Sequence, residues 1–137
     1  MASITKEILV NANADDVWAV VRDVGAAHKR LFPGILTDCH MDGDARVVTF
    51  ANGMVVRELI VDIDDNQRRF VYASVGGRTT HHNASLQVFD EGQNQSRVVW
   101  ITDLLPNEIK SSIQDLVERG SSIMKQTLES SMERKTD

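Results

Sequence analysis

The sequence predicts a single α+β domain in which an antiparallel sheet curls around one long C-terminal helix. Three observations lead there. From Asn107 to Glu133, apolar residues recur at Ile109, Ile113, Leu116, Val117, Gly120, Ile123, Met124 and Leu128, the spacing of one helix face. Almost everything before that stretch reads as short strands separated by Gly, Asn and Asp turns. No strand-helix-strand rhythm is visible, which argues against a parallel sheet.

Each element has a local signal. Ser3 to Val10 alternates and is rich in β-branched residues, as a first strand should be. Asn13 or Asp15 then caps a short helix carrying Val17, Trp18, Val20 and Val21, which ends near Gly25. A second short helix, Ala26 to Phe32, is stopped by Pro33-Gly34. Ile35 to Met41 is strand-like and runs into the turn Asp42-Gly43-Asp44. Arg46 to Phe50 and Met54 to Ile63 form a hairpin across Ala51-Asn52-Gly53, because Asn-Gly is the strongest short hairpin signal. Asp64 to Gln67 turns the chain into a strand over Arg69 to Val75. The loop Gly76-Gly77-Arg78-Thr79-Thr80 precedes a strand from His82 to Phe89, and Arg97 to Leu105 is the last strand. Pro106 and a capping Asn107 open the long helix, with Glu108 placing negative charge in its first turn. The order is β-α-α-β-β-β-β-β-β-α. Within the long helix, Gly120-Ser121-Ser122 interrupts the apolar face; either it leaves room for something or helix and sheet pack closely there.

Composition bounds the function. A chain of 137 residues fits one domain, 1–137, with an ordinary core. Net charge is −5 and the 15 basic residues are dispersed, so nucleic acid is not an expected partner. No apolar run approaches the roughly 20 residues of a membrane span, and the N-terminal residues do not read as a signal peptide. A lone Cys39 excludes an internal disulfide and suits a reducing cytoplasm.

Several phrases, in this order, resemble the helix-grip superfamily, which includes START lipid-transfer domains, pollen-allergen-type proteins, abscisic-acid receptors and bacterial polyketide cyclase/dehydrase-like proteins. They are Ala14-Asp15-Asp16-Val17-Trp18, Asn52-Gly53 with Val56-Arg57-Glu58-Leu59, Asp64-Asp65 leading to Arg68-Arg69-Phe70-Val71-Tyr72, Gly76-Gly77, and Ser96-Arg97-Val98-Val99-Trp100. The resemblance covers nearly the whole chain. It implies a curved seven-stranded sheet and a long helix enclosing an apolar cavity. By position, Asn52, Gly53 and Met54 would form one entrance loop, and Gly76, Gly77 and Arg78 the other. Glu58 falls where receptor-like members place a buried carboxylate that contacts ligand. His82 stands where many members carry a cavity-facing tyrosine, which weakens any ligand preference inferred from relatives. Val117, Gly120, Ser121 and Met124 match positions that close the cavity.

Alternation tests part of this. His82, Ala84, Leu86 and Val88 share the more apolar face of their strand, so His82 should point inward, as a ligand contact or as a hydrogen-bonded core histidine. Glu58 is ambiguous. Its face holds Val56, Ile60 and Asp62; the opposite face holds Arg57, Leu59, Val61 and Ile63 and is the more apolar. A polar-lined pocket or a phase-shifting β-bulge would bury Glu58, while a surface cross-strand pair would expose it. Tyr72 and Ser74 share a face on the neighbouring strand and could supply hydroxyls. Neither His81/His82 nor Cys39/His40 can act jointly, because adjacent strand residues face opposite ways, so no metal or cofactor is expected. Trp18 and Trp100 read as core anchors. Gly76-Gly77 lacks the helix and lysine of a phosphate-binding loop.

The expected function is binding, as carrier or sensor, of an apolar small molecule such as a lipid, polyketide, isoprenoid or aromatic. Ile60, Leu86, Val117 and Met124 would supply apolar walls, while Glu58, Tyr72, Ser74 and His82 would orient the ligand. The alternative is a polyketide cyclase/dehydrase-type enzyme with His82 or Glu58 as general acid/base and Tyr72 or Arg78 stabilising an enolate. A third reading makes the Leu59/Val61/Ile63 face an interface, either of a homodimer or with another protein.

Overall fold

The computed structural model describes residues 1–136, with side chains through Met132. Its strands are β1 (Ala2–Val10), β2 (Leu36–Asp42), β3 (Ala45–Phe50), β4 (Val55–Asp64), β5 (Arg69–Val75), β6 (His81–Asp90) and β7 (Ser96–Leu105). They make one sheet in the order β1-β7-β6-β5-β4-β3-β2, antiparallel at every step. The helices are α1 (Ala14–Val21), a single turn α2 (Ala27–Arg30), and α3 (Lys110–Thr136), which continues past the expected end at Glu133.

Local chemistry explains the joins. Asn13 is the cap of α1, its side chain accepting from the Asp16 amide at 2.9 Å. Ala14, Val17, Trp18, Val20 and Val21 bury one side of that helix, and the Trp18 indole donates to Asp65 at 2.9 Å. The β3-β4 loop is four residues long, Ala51 to Met54, with the Phe50 amide donating to the Met54 carbonyl at 2.8 Å. Gly53 takes the left-handed position there (φ 91°), which is why glycine follows asparagine. The start of α3 differs from expectation. After a cis Leu105–Pro106 bond, a 3₁₀ turn over Asn107–Ile109 begins at Pro106, and no side chain caps it.

The core lies between the concave sheet face and α1 and α3. Phe70, Leu86, Leu104, Met124 and Leu128 are among its largest fully buried side chains. Polar ties fix α3 against β1: Lys125 donates to the Leu9 carbonyl at 2.6 Å, and Glu129 accepts from the Asn11 amide at 2.8 Å. At Gly120 the helix backbone lies close to side chains packed against it. A Cβ there would sit 3.2 Å from the Trp100 ring, so close packing accounts for the glycine, which also borders the cavity described below.

Candidate functional site

A β-bulge resolves the ambiguity of β4. Its register with β5 slips between Ile60 and Asp62, which makes Val61 the extra residue. Before the slip, Val56, Glu58 and Ile60 face inward; after it, Ile63 packs against the core instead. The more apolar set is therefore divided, and Leu59 and Val61 lie outside at 39% and 59% exposure. Glu58 is 8% exposed. The surface-pair reading of Glu58 is thus corrected, and Ile63 drops out of the apolar face expected with Leu59 and Val61, which stay on the outer side.

The partner that makes this burial tolerable is Arg46, a residue the sequence reading did not single out. Its Nε donates to Glu58 Oε1 at 2.8 Å and its Nη1 to the Val24 carbonyl at 3.0 Å. The guanidinium also lies 5.1 Å from the Phe70 ring centroid and 5.2 Å from that of Tyr72. Ser74 Oγ makes a long 3.5 Å contact to the other Glu58 oxygen. Among the described residues, no hydrogen bond joins Glu58 to His82, although the Glu58 charge acts on the imidazole. A signal for Arg46 existed. The Asn-Gly hairpin pairs Thr49 with Val55, and the same register sets Arg46 opposite Glu58.

Above this pair a cavity of about 140 Å³ opens between the sheet and α3. Of the residues named from the sequence, Glu58, Tyr72, Ser74, His82, Val117 and Gly120 line it, together with Met54, Gly76, Gly77 and Arg78 at the loops. Other expected residues lie elsewhere. Ala84, Leu86 and Met124 are sealed in the solid core at 0%, 2% and 0% exposure, and Ser121 is buried beside them. Ile60 faces inward beyond the cavity wall, while Asn52 and Gly53 form the exposed hairpin tip, where Asn52 accepts from the Met54 amide at 2.9 Å. The wall also includes Phe32, Ile35, Phe50, Val56, Trp100 and Ile113, none of which was singled out as lining. Trp100 stacks at a tilt on Phe32, with centroids 5.6 Å apart.

The electrostatics follow from burial. Desolvation pulls the His82 imidazole below its ordinary value, His81 adds to this, and the Glu58 charge opposes it. Burial, helped by Glu58 and opposed by Arg46, pushes the Tyr72 phenol far above its ordinary range. Cys39 is a buried thiol, raised by desolvation, whose Sγ contacts the same Val24 carbonyl at 3.4 Å. Among the described residues, no three His, Cys, Asp or Glu side chains are placed to hold a metal ion. Among the same residues, no helix is long and apolar enough to cross a membrane.

Comparison with known proteins agrees with this architecture. XoxI from Bacillus cereus superposes with a TM-score of 0.81 at 18% identity, covering 96% of this chain and 95% of that one. A START superfamily protein from Mycobacterium smegmatis gives 0.78 at 12% identity, covering 93% and 97%. Norcoclaurine synthase from Thalictrum flavum, in complex with dopamine and hydroxybenzaldehyde, gives 0.75 at 19% identity, covering 97% and 87%. At these identities the likeness establishes the shared helix-grip fold alone. No curated protein matches the sequence. The family described as polyketide cyclase/dehydrase and lipid transport matches residues 1–134. A seven-stranded sheet gripping one long helix, matched over nearly its whole length, thus belongs to the polyketide cyclase/dehydrase and lipid transport family.

Proposed function

We propose that the protein binds a small, mostly apolar molecule, carrying or sensing it, with one ring-sized portion seated in the cavity beneath α3. The observation that carries this reading is the cavity itself: about 140 Å³, walled mainly by aliphatic and aromatic side chains. An apolar cavity of about 150 Å³ engineered in another protein stays dry and takes up benzene, so one ring is the natural scale. A longer ligand would extend past Met54 and Arg78 toward the loops. Glu58 is tied to Arg46 and so is not a free base, which favours binding over catalysis. The buried Cys39 thiol suits a reducing cytoplasm, and the net negative charge disfavours nucleic acid.

The enzyme reading keeps one specific support. His82 borders the cavity and is held toward its neutral form, the state a general base needs. Under that reading, His82→Ala abolishes the basic limb of a pH–rate profile; under the binding reading, it changes affinity alone.

Native mass spectrometry of protein purified from its own host, beside a Val117→Phe variant that fills the cavity, tests the proposal. The expected result is a co-purifying small molecule on the wild type that is absent from the variant. Equal adducts on both proteins, or no adduct and no uptake of benzene-sized probes by the wild type, would overturn it.

A further inference from the structure

We propose that the ligand is an amphiphile bearing a single carboxylate, with its apolar body in the cavity and its carboxylate on Arg78 at the entrance. This rests on the cavity-binding reading above and adds the ligand's charge and chemical class to it.

Charge at the cavity is unbalanced. Among the described residues, the charged side chains lining it are Arg46, Glu58 and Arg78. Arg46 and Glu58 neutralise each other at 2.8 Å, and Arg46 Nη1 is also held by the Val24 carbonyl. Burial holds the His82 imidazole toward its neutral form, so it supplies no second cation. Arg78 is left over: it makes no hydrogen bond or ion pair with another described residue. Arg22, Arg30, Arg57, Arg68 and Arg97, by contrast, each meet a surface carboxylate. Arg69 and Arg119 are exposed and stand outside the cavity, where water alone solvates them. A protein of net charge −5 thus presents one uncompensated positive charge at the border of an apolar hollow.

Strand pairing puts that charge at the outer end. Arg46 and Ser74 both lie opposite Glu58, and β5 runs on from Ser74 through Val75 into the loop that carries Arg78. The neutral pair is therefore buried, and Arg78 stands at the exposed rim. Gly76 and Gly77 take left-handed φ values of 85° and 73°, and a Cβ at either would meet nothing within 4 Å. A head group beside Arg78 finds open space there, and Thr79, which lines the same wall, adds a hydroxyl donor. The inner wall selects an apolar body through Val56, Trp100, Ile113 and Val117, while the rim selects charge. One positive charge balances one negative charge. A carboxylate meets that condition and can take two N–H donors from the guanidinium fork. A phosphate monoester, at about −1.5 to −2 near neutral pH, leaves part of its charge uncovered, and an amine is repelled. At the rim both partners keep part of their hydration, so neither bears the full cost of burial.

Two isosteric probes test the proposal: 4-phenylbutanoate and 4-phenylbutanamide, each a single ring on a flexible arm that ends in a carboxylate or in a neutral amide. Dissociation constants are measured by calorimetric titration at fixed ionic strength for the wild type, Arg78→Gln and Arg69→Gln. Arg69 lies at the opposite end of β5 and outside the cavity, so its loss removes the same charge from the protein without touching the entrance. The expected result is a roughly tenfold weakening of the acid by Arg78→Gln, with the amide changed by less than about twofold. Arg69→Gln should change either probe by less than about twofold. If Arg78→Gln treats the two probes alike, or Arg69→Gln weakens the acid as much, the carboxylate assignment is wrong while the cavity reading survives. If neither probe binds the wild type up to its solubility limit, both readings fall together. Val117→Phe, which fills the cavity, should weaken both probes; acid binding unmoved by it would place the acid on the surface and overturn the proposal.

Discussion

Arg46→Met removes the charge that accompanies Glu58 into the interior while keeping a long apolar side chain in its place. The two side chains are 5% and 10% exposed and meet at 2.8 Å, so their gross attraction is about 6 kcal/mol at an effective dielectric of about 20. That attraction offsets the cost of taking both charges out of water, so the pair's net worth is small, but stranding either partner is expensive. With Arg46 gone, Glu58 keeps only the long 3.5 Å contact from Ser74, and the Val24 carbonyl loses its 3.0 Å donor. We expect Arg46→Met, and separately Glu58→Leu, to destabilise by about 3–5 kcal/mol each. The double variant leaves no orphaned charge and should cost less than about 2 kcal/mol, giving a coupling energy of at least about 4 kcal/mol. Urea unfolding of all four proteins, followed by circular dichroism, reads this directly. Single variants each within about 1 kcal/mol of wild type, and additive in the double, would show that the pair is solvated and that the argument for a buried, neutral cavity floor is unsound.

Four further predictions follow from the same geometry. His82 titrates near 6.5 unfolded and lower when folded, so it adds no pH dependence above 6.5; between 6.5 and the lowered value the unfolded chain takes up a proton that the native chain does not, and stability falls as pH falls. His82→Gln should flatten that part of the profile in urea midpoints taken from pH 7.5 to 5.5; an unchanged slope would assign it to other groups. Ser121 is 4% exposed and its Oγ has no partner, so Ser121→Ala should raise stability by about 1 kcal/mol through both desolvation and helix propensity, read as a higher urea midpoint. Gly120→Ala gains up to about 1 kcal/mol of helix propensity but pushes the Trp100 ring, 3.2 Å away, toward the cavity. Its net stabilisation should be well below that figure, and binding of a ring-sized probe should weaken in titration. Leu59→Lys, on the outer face, should change stability by no more than about 0.5 kcal/mol in urea unfolding, whereas a core position would cost several.

Most of the fold was legible because its signals are local. The helical period of α3, the Asn-Gly turn and the alternation of β6 each specify one element with little help from the rest of the chain. The strand ends differ from the sequence reading by one residue at most, though two of the residues so added, Ala45 and Ser96, are buried. The start of α3 was misread for a local reason as well: Pro106 begins a 3₁₀ turn, so Asn107 is already inside it and cannot serve as the cap.

The site was less legible because its two decisive features are not periodic. A bulge at Val61 is a single extra residue, and alternation counted straight through it assigns Leu59 and Val61 to the same inward face as Ile63. Arg46 was overlooked for a related reason. Read along its own strand, an arginine at the start of β3 looks like a solvated end; only the pairing with Glu58 shows that two charges enter together. Register, then, was the missing variable, and the hairpin turn already contained it. The consequence for function is specific. An unpaired Glu58 would have made a base and favoured a cyclase, whereas a Glu58 bound to Arg46 makes a neutral floor. Besides the Arg46–Glu58 pair, the polar side chains lining the cavity are those of Tyr72, Ser74, Arg78, Thr79, His82 and Thr102 within a mostly apolar wall. It is on these, not on a free carboxylate, that the proposed binding role draws.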